Sequence, residues 1–294
     1  MPELSIVIVN YNTREPLRRC LASIQAERGA LDVETIVVDN GSQDGSADMV
    51  RAEFPDVKLI APGRNTWFTG GNNLGLEAAS GEYTLILNPD TRIQAGTLQT
   101  MLDYARTHPQ VGIVTCRQQF PTGETIPNCS RAPRYLDLLL GYTLLGVLLS
   151  PWRNRRRARM WYADWDRRST RAVEVAPGSC LLGATALLRA FGGLDAAAFK
   201  LYFAEDDLCR RMVAAGHEVH FVAEAAIWHE EHASVKQVQR LASQIYFDDL
   251  IAYARKHSGN GAAALLRALV IPTRLGMDLA QRLRGERRAL STEP

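Results

Sequence analysis

The sequence has no apolar stretch long enough to cross a membrane as a helix. Its longest run without a charged residue, residues 138–152, has fifteen residues, whereas a spanning helix needs roughly 20. We therefore expect this run to be an interfacial segment. The first apolar run, residues 4–9, is too short for the core of a signal peptide and favours a strand.

Cysteine is scarce and unpatterned. The five cysteines are odd in number and form no CxxC pair, which argues against a disulfide framework and against a zinc site. We expect a reducing, cytoplasmic location. The formal net charge is only +2, but basic residues are dense at residues 153–159 and 282–288. This uneven distribution predicts local contacts with anionic groups.

The order of apolar segments predicts an α/β fold. The chain has 294 residues, 46% of them hydrophobic and 22% charged, which is typical of a large globular domain. Strand-like segments alternate with helical ones, the strands at residues 5–9, 35–38, 57–60 and 83–87 and the helices at 15–27, 44–54 and 73–79. This alternation predicts βαβ units and a mostly parallel central sheet flanked by helices.

The domain organisation follows from the second half of the chain. Helices expected at residues 235–257 and 261–284 predict a C-terminal helical extension over residues 233–294, after a catalytic domain over residues 1–232. Within the first domain, residues 135–160 read as an inserted segment that joins an apolar run to a basic one.

Polar residues follow three of the predicted strands, at the point where each ends. They are Asn10-Tyr11-Asn12, Asp39-Asn40-Gly41-Ser42 and Asn88-Pro89-Asp90. Because the carboxyl ends of parallel strands share one edge of a sheet, we expect these groups to converge. Asp39 can accept a hydrogen bond from a base or a ribose, and Asp90 is a hard oxygen ligand of the kind that holds Mg²⁺ or Mn²⁺ beside phosphates. Each group alone is also typical of an ordinary turn.

A glycine-rich segment precedes the helix expected at residues 73–79. It contains Asn65 and the run Gly70-Gly71-Asn72-Asn73. Backbone amides before a helix suit an anionic phosphate. The spacing matches neither GxGxxG nor GxxxxGK[ST], so a Rossmann dinucleotide site and a P-loop are disfavoured.

Three adjacent acids, Glu205, Asp206 and Asp207, open another predicted helix. Acids in a first helical turn suit the helix dipole. Three in a row also repel one another unless a cation, a proton or a basic group is close, and a carboxylate of raised pKa suits a general base. His229 follows a strand expected at residues 218–222, and it becomes a candidate metal ligand only if it meets Asp90.

Together these motifs resemble the family 2 glycosyltransferases of GT-A fold, in order and spacing over roughly residues 3–257. The Asn88-Pro89-Asp90-Thr91 version is most similar to the rhamnosyltransferase-like branch that builds cell-surface polysaccharides. The resemblance implies transfer with inversion of a sugar from a nucleotide-diphosphate donor to a lipid-linked or growing glycan. L-Rhamnose from dTDP-rhamnose is the expected donor sugar, with a UDP-hexose or UDP-HexNAc as the alternative.

The resemblance also implies roles for single residues. A divalent cation, Mg²⁺ or Mn²⁺, would be bound by Asp90 and His229. The general base would be Asp206 or Glu205, since the family's Glu-Asp-x-Asp-Leu run can be aligned in two ways here; we prefer Asp206, and Asp207 is the third catalytic candidate. An Arg-Asn pair common in the late helix is replaced by Asp248-Asp249, which bears on acceptor recognition. The substrate-binding residues would be Asn10, Tyr11, Asn12, Asp39, Asn65, Gly70, Gly71, Asn72 and Asn73.

Apolar and basic residues side by side predict peripheral contact with the cytoplasmic face of the inner membrane. They occur in residues 135–160 and again in residues 261–288. A buried helix with a solvated basic loop, or a dimerisation face, would also explain them. Nucleic acid binding is disfavoured because the arginines lack interleaved aromatics.

Two other functions stay open at this point. A nucleotidyltransferase would need a basic residue beside the glycine segment, where Arg64 is the only candidate. A non-catalytic nucleotide-sugar-binding protein would not need the acid triplet.

Overall fold

The computed structural model describes residues 1–230 and 239–290. Its strands are β1 (Leu4–Asn10), β2 (Val33–Asp39), β3 (Lys58–Ile60), β4 (Tyr83–Leu87), β5 (Thr91–Ile93), β6 (Val111–Gln119), β7 (Thr125–Ile126), β8 (Arg171–Val173), β9 (Cys180–Ala184) and β10 (Glu218–His229). Its helices are α1 (Arg14–Glu27), α2 (Ser46–Glu53), α3 (Trp67–Ala78), α4 (Thr97–Thr107), α5 (Tyr135–Tyr142), α6 (Leu145–Leu148), α7 (Ser150–Met160), α8 (Thr185–Ala190), α9 (Ala204–Ala214), α10 (Gln239–Ser258) and α11 (Asn260–Leu290).

The strands form one sheet in the order β3-β2-β1-β4-β9-β6-β10-β5, with β7 on β6 and β8 on β10. The first four strands are parallel, as the βαβ pattern predicted. Strand β9 runs antiparallel to both β4 and β6. The loop at residues 174–179 leads into β9 from β8, which pairs with β10. The α/β class is confirmed, with a mixed sheet whose amino-terminal half is parallel.

Apolar side chains cover both faces of the sheet. On one face, Leu17, Leu21 and Ile24 of α1 are buried at the helical spacing read from the sequence, together with residues of α4. On the other face, residues of α9 and α10 share a second cluster, which includes Leu208 and Leu250. Strand β1 is buried along almost its whole length because helices cover it from both sides.

Helix α3 begins six residues before the predicted start, so that prediction is wrong. The glycines that suggested a turn lie inside the helix. A Cβ on Gly71 would sit 2.8 Å from Cγ1 of Val9, and a Cβ on Gly75 would sit 2.2 Å from Cγ1 of Val7. These glycines are needed because α3 lies directly on β1, where any side chain would collide.

The predicted insertion divides into a packed part and an exposed part. In α5, Leu138 and Leu140 are buried, and the hydroxyl of Tyr135 donates a hydrogen bond to the carbonyl of Ala262 in α11. Helix α6 and its flanks are exposed, as Leu148 illustrates with 78% of its surface accessible. The first half of the apolar run is therefore core, and only the second half is available to a partner.

The C-terminal helices pack against the rest of the fold. Tyr253 of α10 and Leu266 of α11 are fully buried in the cluster that contains α9. The boundary predicted at residues 232 and 233 lies outside the described residues, as do the side chains of the basic cluster at 282–288. Among the described helices, none has an apolar stretch of the length that a bilayer crossing requires.

Candidate active site

A cleft of about 350 Å³ opens beyond the carboxyl ends of β1, β2 and β4. Its walls come from the turns after these strands, from the start of α3, and from residues 177–179 and 201–205. Five predicted site residues line it: Tyr11, Asn65, Asp90, Glu205 and His229. The strand ends therefore converge as the parallel order required.

Asp90 and His229 meet in the cleft. Strand β10 pairs antiparallel with β5 so that His229 lies opposite Thr91, and the amide of Glu230 donates to the carbonyl of Asp90 at 3.0 Å. This register puts His229 Nε2 3.2 Å from Asp90 Oδ1, with both side chains buried. His229 therefore lies next to Asp90, as a shared metal site would require.

These two side chains fit a cation that arrives with its phosphates. No group of three or more His, Cys, Asp or Glu side chains within the described ranges is arranged to hold a metal ion. One carboxylate and one imidazole leave most of a six-coordinate shell open. Mg²⁺ and Mn²⁺ commonly bind in this way, through one or two protein groups plus water and substrate phosphate oxygens.

Asn10 and Asp39 join the ends of β1 and β2. Asn10 Nδ2 donates to Asp39 Oδ1 and to Ser42 Oγ, both at 3.0 Å. Ser42 donates its own amide to Asp39 Oδ2, and its Oγ accepts from the amide of Asn12. The two side chains are buried in this network and do not form the cleft surface, whereas Tyr11 does.

The first two acids of α9 differ in position. Glu205 lines the cleft, and its Oε2 is buried with no hydrogen-bond partner within the described residues. Burial raises the pKa of Glu205, and the negative charge of Asp249 adds to this. Asp206 is absent from the cleft lining; burial and then the charge of Glu205 raise its pKa to about 8. The structure thus brings Glu205 to the cleft surface and not Asp206, the acid that the alignment led us to prefer as the base.

Comparison with known proteins agrees with this arrangement. The family model described as glycosyl transferase family 2 matches residues 5–162, more than half of the chain. The chain belongs to this family. It is therefore a glycosyltransferase of the hexosyltransferase type, as the sequence predicted.

Individual relatives place this glycosyltransferase near a rhamnosyltransferase. It is 27% identical over 274 residues to an N-acetylglucosaminyl-diphospho-decaprenol L-rhamnosyltransferase of Mycobacterium tuberculosis, covering 87% of this chain and 85% of the relative. It is 31% identical over 109 residues to a GalNAc(5)-diNAcBac-PP-undecaprenol β-1,3-glucosyltransferase of Campylobacter jejuni, covering 36% and 35%. The first match supports the rhamnosyltransferase-like branch.

A solved structure shares the fold of this glycosyltransferase. The mannosyltransferase PcManGT of Pyrobaculum calidifontis, in complex with GDP-Man and Mn²⁺, matches with a TM-score of 0.56 and 17% identity. The match covers 99% of this chain and 84% of that one. The GT-A fold is confirmed, with its mixed sheet, flanking helices and C-terminal helices.

Gln118 holds the imidazole of His229 in the glycosyltransferase cleft, and the motifs did not reveal it. Gln118 Nε2 donates to Ser179 Oγ at 2.6 Å, so its Oε1 accepts from His229 Nδ1 at 3.0 Å. This contact orients the ring so that Nε2 points toward Asp90 and the cleft, where an unprotonated Nε2 is able to ligate a metal ion. The only available indication was an amide side chain near the end of β6, at a position that lies between partly exposed neighbours and is itself buried.

The run from Gly70 to Asn73 does not form the cleft surface. The amides expected to face a phosphate belong to the interior of α3. Asn72 Nδ2 donates to the carbonyl of Phe68, and Asn73 binds both backbone groups of Leu194. These residues fix α3 to its neighbours, and their part in binding the diphosphate stays a prediction. Asn65 remains in the cleft, where its Oδ1 accepts from the amide of Trp67.

Asp207 lies apart from the cleft and binds three basic side chains. It is fully buried, 2.8 Å from Arg211 Nε, 2.8 Å from Lys256 Nζ and 3.0 Å from His257 Nε2. Burial alone would raise the pKa of Asp207, but hydrogen bonds from these partners outweigh it and lower the pKa to about 2. A carboxylate held this way is a weak base and a strong tether between α9 and α10.

Asp249 explains one departure from the family pattern. Its carboxylate accepts hydrogen bonds from the backbone amides of Lys200, Leu201 and Tyr202, at 3.2, 2.9 and 2.9 Å. Leu201 and Tyr202 line the cleft. An acid is required at this position because the loop presents three amides to it, so Asp249 shapes the cleft wall from α10.

Proposed function

We propose that this protein is an inverting glycosyltransferase that moves L-rhamnose from dTDP-rhamnose to a lipid-linked or growing glycan acceptor. The M. tuberculosis relative, similar over most of both chains, supports the branch and a diphosphate-linked lipid as the acceptor carrier. A UDP-hexose or UDP-HexNAc donor is the alternative to be tested. The likeness of the Asn88-Pro89-Asp90-Thr91 run to the rhamnosyltransferase branch supports rhamnose.

One observation carries the proposal. A buried carboxylate oxygen of Glu205 lies in the same cleft as the pair formed by Asp90 and His229. The pair suits the diphosphate side of a sugar nucleotide, and the carboxylate suits an acceptor hydroxyl. A non-catalytic binding protein would have no use for a desolvated base there.

The reaction we propose is a single displacement at the anomeric carbon. The acceptor oxygen attacks the face opposite the departing nucleoside diphosphate, while its proton passes to the carboxylate of Glu205. The bond from the anomeric carbon to the donor phosphate oxygen breaks, and that oxygen keeps the electron pair. Burial and then the charge of Glu205 raise the pKa of Asp206, so the two acids do not readily ionise together, and Glu205 is the one of the pair that lines the cleft.

We further propose that a divalent cation, Mg²⁺ or Mn²⁺, is bound by Asp90 and His229. When bound, such an ion stabilises negative charge on the leaving diphosphate. The small protein ligand set supports weak binding without donor and tighter binding with it. The Mn²⁺ in the PcManGT complex is in accord with this choice.

The site of action that we propose is the cytoplasmic face of the inner membrane, with peripheral contact. The exposed apolar surface around α6 and the basic residues of α7 support this. A hydrocarbon surface next to arginines suits an anionic leaflet.

A transfer assay tests the function and the donor. The purified protein with Mn²⁺ is offered dTDP-rhamnose, UDP-glucose, UDP-GlcNAc and GDP-mannose in turn, with polyprenyl diphosphate-linked GlcNAc as acceptor. We expect release of dTDP and a product one rhamnose heavier, both abolished by EDTA. Release of UDP would support the alternative donor. In a parallel reaction with a nucleoside triphosphate and a sugar phosphate, release of inorganic diphosphate would indicate a nucleotidyltransferase.

Two matched variants test the base. Glu205→Gln should lower kcat by roughly 10²- to 10⁴-fold, the usual range for a general base, while leaving the Kd for the nucleotide sugar unchanged. Asp206→Asn changes an acid outside the cleft lining and should retain most of the turnover. Full activity of Glu205→Gln together with loss of activity in Asp206→Asn would identify Asp206 as the base.

A further inference from the structure

A second cavity, of about 550 Å³, lies between residues 131–137 and helix α7. Five arginines line it: Arg131, Arg134, Arg155, Arg156 and Arg159. Two acids, Asp137 and Glu174, are the only negatively charged side chains in the lining. We call this cavity the arginine pocket; nothing in the proposed reaction uses it.

The arginine pocket has uncompensated positive charge. Arg156 Nε is 2.7 Å from Asp137 Oδ1, and Arg131 Nη1 is 3.1 Å from Glu174 Oε1. The other three arginines form no ion pair within the described ranges, so the lining carries an excess of three positive charges. Clustered guanidinium groups repel one another unless an anion is present, and their planar forks match phosphate oxygens two at a time.

An exposed apolar surface adjoins the arginine pocket. Helix α6 and its flanks leave Leu144, Val147, Leu148 and Leu149 between 47% and 78% accessible. Trp152, which is 68% accessible, belongs to both the pocket lining and this surface. A ligand that satisfies both must combine a phosphate group with a hydrocarbon chain.

The arginine pocket is also close to the reaction cleft. Glu174 is in the pocket lining and Pro177 is in the cleft lining, three residues later, so extended chain separates them by at most about 11 Å. On a second path, helix α5 carries Asp137 of the pocket lining and also Tyr142. The ring of Tyr142 lies 5.4 Å from that of Tyr246, which lies 4.8 Å from that of Tyr202 in the cleft wall. One sugar with its phosphate linkage can bridge such a separation.

We propose that the arginine pocket binds the diphosphate of the lipid-linked acceptor, with the lipid chain lying on the exposed face of α6. This rests on the proposed function, because it assumes a lipid-linked acceptor. The pocket then recognises the carrier and the cleft recognises the sugar. The enzyme would select acceptors by their diphosphate as well as by their sugar.

Binding of farnesyl diphosphate in EDTA tests the pocket without donor, metal or catalysis. The probe should bind the wild type, and the double variant Arg155→Gln/Arg159→Gln should bind it roughly tenfold more weakly, as expected for loss of charged hydrogen bonds. The double variant Arg51→Gln/Arg168→Gln makes the same charge change at exposed arginines outside the pocket. It should bind as the wild type does, and equal weakening in both double variants would overturn the assignment.

Two further probes separate the possible sources of phosphate. Inorganic diphosphate should bind more weakly than farnesyl diphosphate, because it lacks the apolar contact with α6. Equal affinity for the two would overturn the lipid part of the proposal. Phosphatidylcholine vesicles with phosphatidylglycerol should bind less tightly than the same vesicles doped with farnesyl diphosphate. Equal binding would show an anionic surface site and overturn the diphosphate assignment.

Kinetics distinguish failure of this inference from failure of the proposed function. In the Arg155→Gln/Arg159→Gln variant we expect a higher KM for the lipid-linked acceptor, with kcat and the donor KM unchanged. Normal transfer with an unchanged acceptor KM would contradict the role of the arginine pocket and leave the proposed function intact. If farnesyl diphosphate binds in the arginine pocket but no lipid-linked sugar is glycosylated, the pocket's ligand is supported and the proposed function is contradicted.

Discussion

A substitution at Asp207 tests whether this acid stabilises the fold or takes part in catalysis. We consider the substitution Asp207→Asn, which keeps the size of the side chain and removes its charge. The carboxylate is fully buried and contacts Arg211, Lys256 and His257. Loss of the charge leaves Arg211 and Lys256 facing a neutral amide in place of a carboxylate, so α9 and α10 should separate more easily.

The expected magnitude follows from the pKa and from the burial. Asp207 has a pKa of about 2 in the folded protein against an ordinary 3.8, which corresponds to about 2.5 kcal/mol of stability for the charged form. Because the folded pKa is the lower one, this contribution is complete above the unfolded value and is lost as the pH falls through about 2. Breaking a buried pair costs roughly 3–5 kcal/mol, so Asp207→Asn should lower Tm by roughly 5–8 °C in a chain of 294 residues.

Thermal unfolding at neutral pH, together with turnover at a temperature where the variant is folded, provides the assay. The control is Asp48→Asn, an exposed acid 2.8 Å from Arg51, which should change stability by less than about 1 kcal/mol. Lys256→Met should cost less in the Asp207→Asn background than in the wild type, because the two groups interact. An unchanged Tm with abolished turnover would refute the reasoning and make Asp207 part of the catalytic machinery.

Three further outcomes are expected. Gly75→Ala should destabilise by roughly 1–3 kcal/mol in chemical denaturation, because its Cβ has no room against β1; Gly141→Ala, in open space on α5, should be neutral or stabilising, and equal effects would contradict the packing. Gln118→Leu should weaken Mn²⁺ binding in the presence of dTDP roughly 10- to 100-fold by calorimetry, because His229 loses its orienting partner; unchanged affinity would make Gln118 irrelevant to the metal. In the pH profile of kcat, the pKa on the acid side should lie above 4.5, the ordinary pKa of a glutamate, because burial raises the pKa of Glu205. A value at or below 4.5 would argue against Glu205 as the base.

The alternation of apolar segments was enough to predict the parallel half of the sheet. Each strand from β1 to β4 was placed within two residues at either end, since its apolar run is bounded by turn residues. Strand β9 could not be placed between β4 and β6, because its neighbours are set by long-range pairing that no local pattern contains. Helix α3 was started too late because its glycines serve contact with β1 and not a turn.

The parts of the site that depend only on strand order could be predicted from the sequence. The parts that depend on the direction of a side chain could not. Convergence of Tyr11 and Asp90 at one sheet edge followed from parallel order. The choice between Glu205 and Asp206 depends on the phase of the first turn of α9 relative to the cleft, which a run of adjacent acids leaves undetermined. Gln118 comes from a distant strand and acts only through His229, so no spacing reveals it.

The bond pattern of Asp249 has a consequence for how this family can diversify. The family model ends at residue 162, yet the loop at residues 200–202 that walls the cleft is fastened by a side chain of α10. The matched strands and the cleft wall at residues 200–202 are therefore separate stretches of sequence. We expect that exchange of sequence beyond the matched region would replace α10 together with the loop it fastens, and so change one wall of the cleft while the strand ends on its other side stay as they are.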